Sequence, residues 1–572
     1  QGHGSDDGCI AIGQNAGFND QGKSSVAIGW EAGKNTQGDF SVGIGRGAGL
    51  TQQGNDCVAI GSGSGEINQQ NGATAIGNNA GYTNQGGDGV AIGIYSGFND
   101  QGANAVAVGV NAGNLYQGYK SVAIGGMAAS HKQGWAAVAI GYAAGQTDQG
   151  GNAVAIGQNA GQNDQEVNAI AIGNNAGYNN QGGNAVAIGW EAGQNDQGND
   201  CVAIGNNAGY TNQGGDGVAI GIYSGFNDQG ANAVAVGVNA GNLYQGYKSV
   251  AIGGMAASHK QGWAAVAIGY AAGQTDQGDN AVAIGQNAGN DNQGGNSVAI
   301  GPNAGQNDQG SSAVAIGTSA GQYNQNNGAV AIGAGCGEIN QNEYAMAIGN
   351  NAGWKNQGVN AIALGPYAGF NDQGSNAVAI GQKAGQISQN SGAVAIGQNA
   401  GQNNQGSVCM GPYDGCIAIG QNAGQNNQGQ SSVAIGWEAG KNTQGCFSVG
   451  IGRSAGLNDQ GNDCVAIGSG SGETNQGNCS VAIGNNAGGE NQAAYSIIIN
   501  ATGGSQNGPP DSPSVILNAT STLVGGGNDL SNDSFYVAPV RILPGPAPPS
   551  PPFKPLYWNT LTNEIVAWND TS

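Results

Sequence analysis

The chain repeats one short pattern of apolar and polar residues at a fixed interval. A large, small, large apolar triplet such as Val298-Ala299-Ile300 is followed by Gly301 and by a mostly polar stretch, after which the triplet returns sixteen residues later. With the central Ala as marker, copies begin at Ala11 and continue in this step to Ala395. They resume at Ala418 and run to Ala482, which gives thirty readable copies and a degenerate one near Ile498.

This period predicts strands rather than helices. Sixteen residues are too few for a two-helix repeat, and each internal glycine would cost a helix about 1 kcal/mol. The triplet alternates large and small residues, which is the period of a β-strand. The sequence therefore predicts an all-β parallel β-solenoid of about thirty 16-residue coils, a rod roughly 140 Å long at a coil spacing of about 4.8 Å.

The alternation also suggests which side chains fill the coil. We expect Val298 and Ile300 to point inward, with their equivalents in other coils, as stacked aliphatic rows. A Gln recurs ten residues after the marker, and its recurrence predicts a buried or half-buried amide that stacks on its neighbours and satisfies backbone groups. Ligand binding is the alternative role. This Gln ladder includes Gln21, Gln37, Gln53, Gln69, Gln309 and Gln492.

The marker residue would then lie outside the coil. A solvent-facing position should accept large polar residues, yet the marker is almost always Ala, or Gly as at Gly43 and Gly450. We therefore expect another copy of the chain to pack against this face. The predicted trimer seam includes Ala27, Ala59, Ala75, Ala299 and Ala315.

These residues carry a family resemblance. The stretch Asn296-Ser297-Val298-Ala299-Ile300-Gly301, followed by Ala304, resembles the YadA-like head repeat of trimeric autotransporter adhesins. It is also similar to arrays in fibre proteins of phages and large DNA viruses. The resemblance covers roughly residues 1 to 490 and implies a left-handed β-roll in which three chains pack as a homotrimer. The repeat here is longer than is usual in bacterial heads, and we expect no neck, coiled-coil stalk or membrane barrel.

The chain divides where the pattern changes. We expect β-roll repeats over residues 1–406 and 418–492, separated by a register-breaking loop at 407–417 that adds seven residues. Capping strands at 493–543, a Pro-rich linker at 544–555 and C-terminal strands at 556–572 would form a small β cap. Residues 81–150 recur almost unchanged at 209–278, an offset of eight coils.

Composition excludes several functions. Of 572 residues, 113 are Gly and only 8% are charged, and the formal net charge is −22. Such a chain has no basic patch for nucleic acid, and no stretch approaches the roughly 20 apolar residues that insertion into a membrane requires. No nucleophile, general base or metal-ligand spacing is visible, so we expect no catalytic, cofactor or metal site and no enzyme activity.

Three further sets of residues are candidates for modification or binding. Cys446, Cys464 and Cys479 fall in successive coils and could form disulfides, or pack as small apolar residues. Aromatic residues seven after the marker, such as Tyr82 and Phe98, would fill gaps or stack on sugar rings. Potential N-glycosylation sites, which would make the chain a glycoprotein, are Asn478, Asn500, Asn518, Asn532 and Asn569.

Together these features predict a structural fibre. We expect a rigid adhesive rod or spacer that is extracellular, on a cell surface or on a virion surface. Its partner would be itself, as a homotrimer with stacking into a fibril left open, and a host-surface glycan or protein is a further candidate. The alternatives are an ice-binding solenoid, for which regular Thr rows are missing, and a subunit of an extracellular fibril that polymerises end to end.

Overall fold

The protein is an all-β parallel solenoid. A computed structural model describes residues 8–406, 415–501 and 513–518, and the backbone of three further strands, Phe535–Ala538, Leu556–Asn559 and Glu564–Ala567. Each coil of the array places one three-residue strand in a first sheet, and most coils place another in a second sheet. The predicted fold class and coil spacing are therefore confirmed.

The first sheet is built from the apolar triplets. Its strands begin with Ile10–Ile12 and recur every sixteen residues to Val394–Ile396. After one step of 23 residues they resume at Ile417–Ile419 and continue every sixteen residues to Val481–Ile483. Each residue pairs in parallel with its equivalent in the next coil, as Val298, Ala299 and Ile300 do with Val314, Ala315 and Ile316.

The second sheet contains the recurring Gln. Its strands run every sixteen residues from Thr51–Gln53 to Asn403–Gln405, and the last is Asn426–Gln428. Single bridges extend its line through Gln21 and Gln37 at one end and through Gln444 and Gln460 at the other. The two sheets are the opposite walls of a thin coil.

Backbone hydrogen bonds between coils continue through the turns. The Gly305 amide donates to the Ala320 carbonyl at 2.8 Å, and the Ser319 amide donates to the Pro302 carbonyl at 2.9 Å. The turns require left-handed backbone at Asn296, Asn303 and Asp308, where φ is 57°, 56° and 54°. Asn and Asp tolerate this conformation better than other residues with side chains, which explains why they fill the polar part of each repeat.

The interior of the coil holds small residues, and the predicted orientation of the triplet is wrong. Val298 and Ile300 lie on the outer surface, and the marker Ala residues after the exposed Ala11 point inward with none of their surface exposed. This holds for all five residues of the predicted trimer seam, Ala27, Ala59, Ala75, Ala299 and Ala315.

The physical reason is the distance between the walls. At the marker position of one coil, a Cβ on Gly43 would lie 3.5 Å from Nε2 of Gln37 in the opposite wall and 3.1 Å from the Ala48 carbonyl oxygen in the turn. No Val or Ile fits in that space. The marker is small because it packs against the opposite wall of its own coil, not against a second chain.

The register break does not interrupt the sheets. Val394 pairs with Ile417 and Asn403 with Asn426, so residues on either side of the break are joined as in any other coil. Ile417 begins a strand, so the predicted loop boundary at 417 is too late. Residues 407–414 lie outside the described part of the chain.

Beyond the regular coils the first sheet continues. Ile497–Asn500, Val515–Asn518 and Phe535–Ala538 are added in parallel to its end. Leu556–Asn559 and Glu564–Ala567 pair with each other in antiparallel. The predicted Pro-rich linker at 544–555 lies outside the described residues.

Candidate functional site

The Gln ladder joins the two walls of the coil. The Nε2 atom of Gln309, in the second sheet, donates to the carbonyl of Val298 in the first sheet at 2.9 Å and to Oε1 of Gln325 in the next coil at 3.0 Å. Its own Oε1 accepts a hydrogen bond from Gln293 at 3.2 Å. Of the predicted ladder residues, Gln37, Gln53, Gln69, Gln309 and Gln492 are buried, and Gln21 is half-buried.

The ladder runs in segments. Its longest segment extends from Gln261 to Gln389, each amide donating to the next at 3.0–3.2 Å. Such a segment starts with a Gln whose buried Oε1 has no hydrogen-bond partner among the described residues, as at Gln53 and Gln261. These side chains are structural, because they are occupied by backbone and by one another.

The ladder also explains one glycine of each repeat. A Cβ on Gly305 would lie 2.7 Å from Oε1 of Gln309, and its φ is 50°. Both the close approach and the left-handed backbone require glycine there. The Gly of the Ala-Gly pair therefore packs directly against the Gln of the Asp-Gln pair in the same coil.

The Val and Ile rows form the largest regular feature of the outer surface. The Val row is half-buried, and the Ile row is more open, with 37% of Ile204, 38% of Ile220 and 39% of Ile252 exposed. The rows lie side by side on the first sheet and extend over all thirty regular coils. We call this surface the Val/Ile face. Sequence reasoning missed it because it placed these side chains inside.

Aromatic residues that share a repeat position in consecutive coils form two groups. The predicted group, seven residues after the marker, stacks between successive coils, with ring centres 4.9 Å apart for Tyr82 and Phe98 and also for Trp354 and Phe370. A second group, four residues before the marker, was missed. It comprises Tyr119 and Trp135 and their duplicates Tyr247 and Trp263. Its signal in the sequence is a pair of aromatic residues at one repeat position in consecutive coils.

The cysteines do not form the predicted group of disulfides within the chain. Cys464 and Cys479 are free thiols, and Cys446 is disulfide-bonded, so the three are not joined to one another. Desolvation raises the pKa of the buried Cys57 and Cys201 thiols to about 11. These two side chains replace the small residue that ordinarily packs inside the coil.

The predicted glycosylation sites differ in exposure. Asn478 is exposed. Asn500 and Asn518 are buried at the end of the first sheet, where Nδ2 of Asn518 donates to Oδ1 of Asn500 at 3.2 Å. A glycan cannot be accommodated at either side chain in this structure, so the prediction is wrong for these two. Asn532 and Asn569 lie outside the described residues.

Other kinds of site are not found within the described ranges. No group of three or more His, Cys, Asp or Glu side chains there is placed to hold a metal ion. None of the described segments is a helix with the length and apolar character needed to cross a bilayer. Comparison with models of protein families, with curated proteins and with solved structures gives no match to this chain.

Proposed function

We propose that the protein is a structural fibre subunit: a rigid rod that associates laterally with copies of itself through the Val/Ile face. The observation that carries the proposal is the constancy of this face across the chain's own coils. A solvent-facing position free to vary would hold different polar residues, as the position three after the marker does with Gln14, Trp30 and Arg46. The Val and Ile positions point outward, yet they hold aliphatic residues in every regular coil apart from Thr74 and Met346. We therefore infer that something covers them.

The energy of covering this face is large enough for stable association. Burying an Ile side chain completely contributes about 1.5–3 kcal/mol. Where the Ile side chain is more than a third exposed, as at Ile204, Ile220 and Ile252, covering it contributes about 0.5–1 kcal/mol per coil. Thirty such coils would contribute at most about 15–30 kcal/mol per chain, against the roughly 4–15 kcal/mol that association costs.

Three chains are the arrangement that the resemblance to YadA-like heads implies, and we propose a homotrimer with the Val/Ile faces turned toward a common axis. The trimer then uses the face opposite to the one that sequence alone suggested. Continuous backbone hydrogen bonds between coils would give each rod its stiffness. A long, acidic, rod-like assembly fits an extracellular, cell-surface or virion-surface spacer or adhesive fibre.

The native mass tests this proposal. Light scattering after size exclusion should give three times the 56.1 kDa chain mass. The triple variant Ile188→Glu/Ile204→Lys/Ile220→Glu places alternating charges on the face and should reduce the mass to one chain. Its control, Trp190→Glu/Asn206→Lys/Ile222→Glu, places the same charges two residues further along in the same coils and should remain trimeric.

A monomeric wild-type protein would contradict the proposal and leave the ice-binding solenoid and the end-to-end fibril as the alternatives. Thermal hysteresis in ice would then test the ice-binding solenoid. A mass that grows without limit as concentration rises would favour end-to-end polymerisation. Dissociation of the control variant together with the face variant would show that the Val/Ile face is not the interface.

A further inference from the structure

Two pairs of exposed aromatic rings stand on the turn that leads from the second sheet into the first. In the first pair, Tyr119 is 49% and Trp135 60% exposed; in the second, Tyr247 is 41% and Trp263 51% exposed. The rings of the second pair are nearly parallel, with centres 6.5 Å apart and an angle of 17° between them. Each pair spans two coils, and both of its side chains are exposed. We call the pairs the aromatic platforms.

The neighbouring coils leave room around the platforms. At the same repeat position, Ala103 precedes Tyr119 and Gly151 follows Trp135. A Cβ on Gly151 would lie 2.7 Å from Nε1 of Trp135, so the indole extends over Gly151 in the next coil. In the second copy Ala231 precedes the pair, and Asp279 follows it and accepts a hydrogen bond from the Trp263 amide at 2.8 Å. The aromatic rings lie outside the space between the two walls of the coil.

Charged side chains beside the platforms are unusual for this chain. The ammonium of Lys120 lies 4.9 Å from the centre of the Tyr119 ring, and Lys248 repeats this over Tyr247. Lys132 pairs with Asp148 at 3.1 Å. The duplicated pair, Lys260 with Asp276, is 3.3 Å apart.

These four lysines are a substantial part of the 13 Lys and Arg in a chain of net charge −22. The lysines are accompanied by Asp148 in the first copy, and by Asp276 and Asp279 in the second. The positive groups at the rings themselves are the ammonium groups of Lys120 and Lys248. The platforms are therefore positions where an anion can be attracted to an otherwise acidic rod.

We propose that each platform binds a pyranose sugar that bears a carboxylate. The C–H groups of a pyranose ring carry partial positive charge and pack on the negative faces of aromatic rings. The carboxylate would pair with Lys120 or Lys248, and ring hydroxyls would hydrogen-bond to Asp148 or Asp276.

The duplication makes the chain bivalent. The two platforms are 128 residues, or eight coils, apart, which is roughly 38 Å along the rod. A polysaccharide that reaches both platforms would bind more tightly than a short oligosaccharide that reaches one, because the second contact is intramolecular. The inference names a ligand class for the adhesive role and rests on the proposed function only for its extracellular setting.

Binding of the full chain to immobilised saccharides tests the proposal. The probes are hyaluronan, alginate, polygalacturonate and sialylated oligosaccharides, with dextran and chitin oligosaccharides as neutral probes. We expect binding to at least one acidic probe and at least tenfold weaker binding to the neutral ones. Calorimetry with a short oligosaccharide of the bound type should give two sites per chain, one in Trp135→Ala and none in Trp135→Ala/Trp263→Ala.

A matched control is present in the chain. Trp30 and Trp437 are also a duplicated, exposed pair, 47% and 45% exposed, and each has an arginine 5.9 Å from its ring centre. Trp30→Ala/Trp437→Ala should retain both sites. Lys120→Gln/Lys248→Gln should weaken binding of the acidic probe at least tenfold. Circular dichroism and light scattering of all variants should match wild type, which separates loss of a platform from loss of fold or association.

The outcomes that overturn the proposal are distinct from those that overturn the fibre. Failure to bind any acidic saccharide, or equal loss in the Trp30→Ala/Trp437→Ala control, would reject the platforms while leaving the trimer intact. Binding to neutral saccharides alone would reject the role of the lysines. A monomeric protein that still shows two sites per chain would reject the trimer and leave the platforms standing.

Discussion

Replacement of one ladder glutamine should open the coil locally. Gln309 lies within the longest segment of the ladder, with hydrogen bonds to Val298, Gln325 and Gln293. The variant Gln309→Ala removes all three and leaves a gap between the walls, because the coil interior is otherwise filled with Ala and Gly. The backbone carbonyl of Val298 and the amide oxygen of Gln325 lose a donor in a buried place.

The expected loss of stability follows from these contacts. Three net hydrogen bonds contribute about 1.5–4.5 kcal/mol in total, and loss of the one buried methylene, Cγ, adds about 0.8 kcal/mol. A value of about 4 kcal/mol is therefore reasonable for opening of this coil. At about 1.4 kcal/mol per tenfold change, this predicts a roughly thousandfold faster exchange of the local backbone amides.

Hydrogen exchange followed by mass spectrometry is the assay, because each coil contacts mainly its neighbours and the effect should stay local. Peptides covering residues 290–330 should exchange faster, and peptides near residue 150 should not change. Gln286→Ala, which truncates an exposed glutamine one coil earlier, is the control and should exchange as wild type. Unchanged exchange in Gln309→Ala would refute the role assigned to the ladder.

Two further predictions concern the interior of the coil. Ala299→Val should destabilise its coil by about 1–3 kcal/mol or more through overpacking, and amides at 290–330 should exchange faster. Unchanged exchange would contradict the placement of Ala299 inside the coil. The folded protein should react slowly with a thiol reagent at Cys57 and Cys201 and quickly at the exposed Cys479. Burial raises the pKa of the Cys57 and Cys201 thiols from 9.0 to about 11. Their contribution to the free energy of unfolding should therefore decrease as pH rises from about 9 toward 11. Denaturant titrations that compare wild type with Cys57→Ala/Cys201→Ala would detect this decrease. Equal labelling of all three thiols, or identical pH dependence of the two proteins, would contradict their placement inside the coil.

The repeat was sufficient to predict every regular strand of the first sheet. A fixed sixteen-residue step with one apolar triplet per copy permits parallel stacking of equivalent residues and little else, so the positions of the triplets give the strands directly. The same reasoning gave the buried Gln, since a side chain that recurs in every coil must meet the same surroundings in each. It also gave the seven extra residues of the register break, because the pattern resumes unchanged after them.

The sequence could not decide which side of the strand faces inward. Alternation separates Val298 and Ile300 from Ala299, but it is equally satisfied by a wide coil filled with large side chains and by a narrow coil filled with small ones. The distance between the two walls selects the narrow coil, and that distance depends on turns with left-handed Asn, Asp and Gly and on the length of Gln309. The platform of Tyr247 and Trp263 is likewise a tertiary feature, because its two rings are sixteen residues apart in sequence and meet only when one coil stacks on the next.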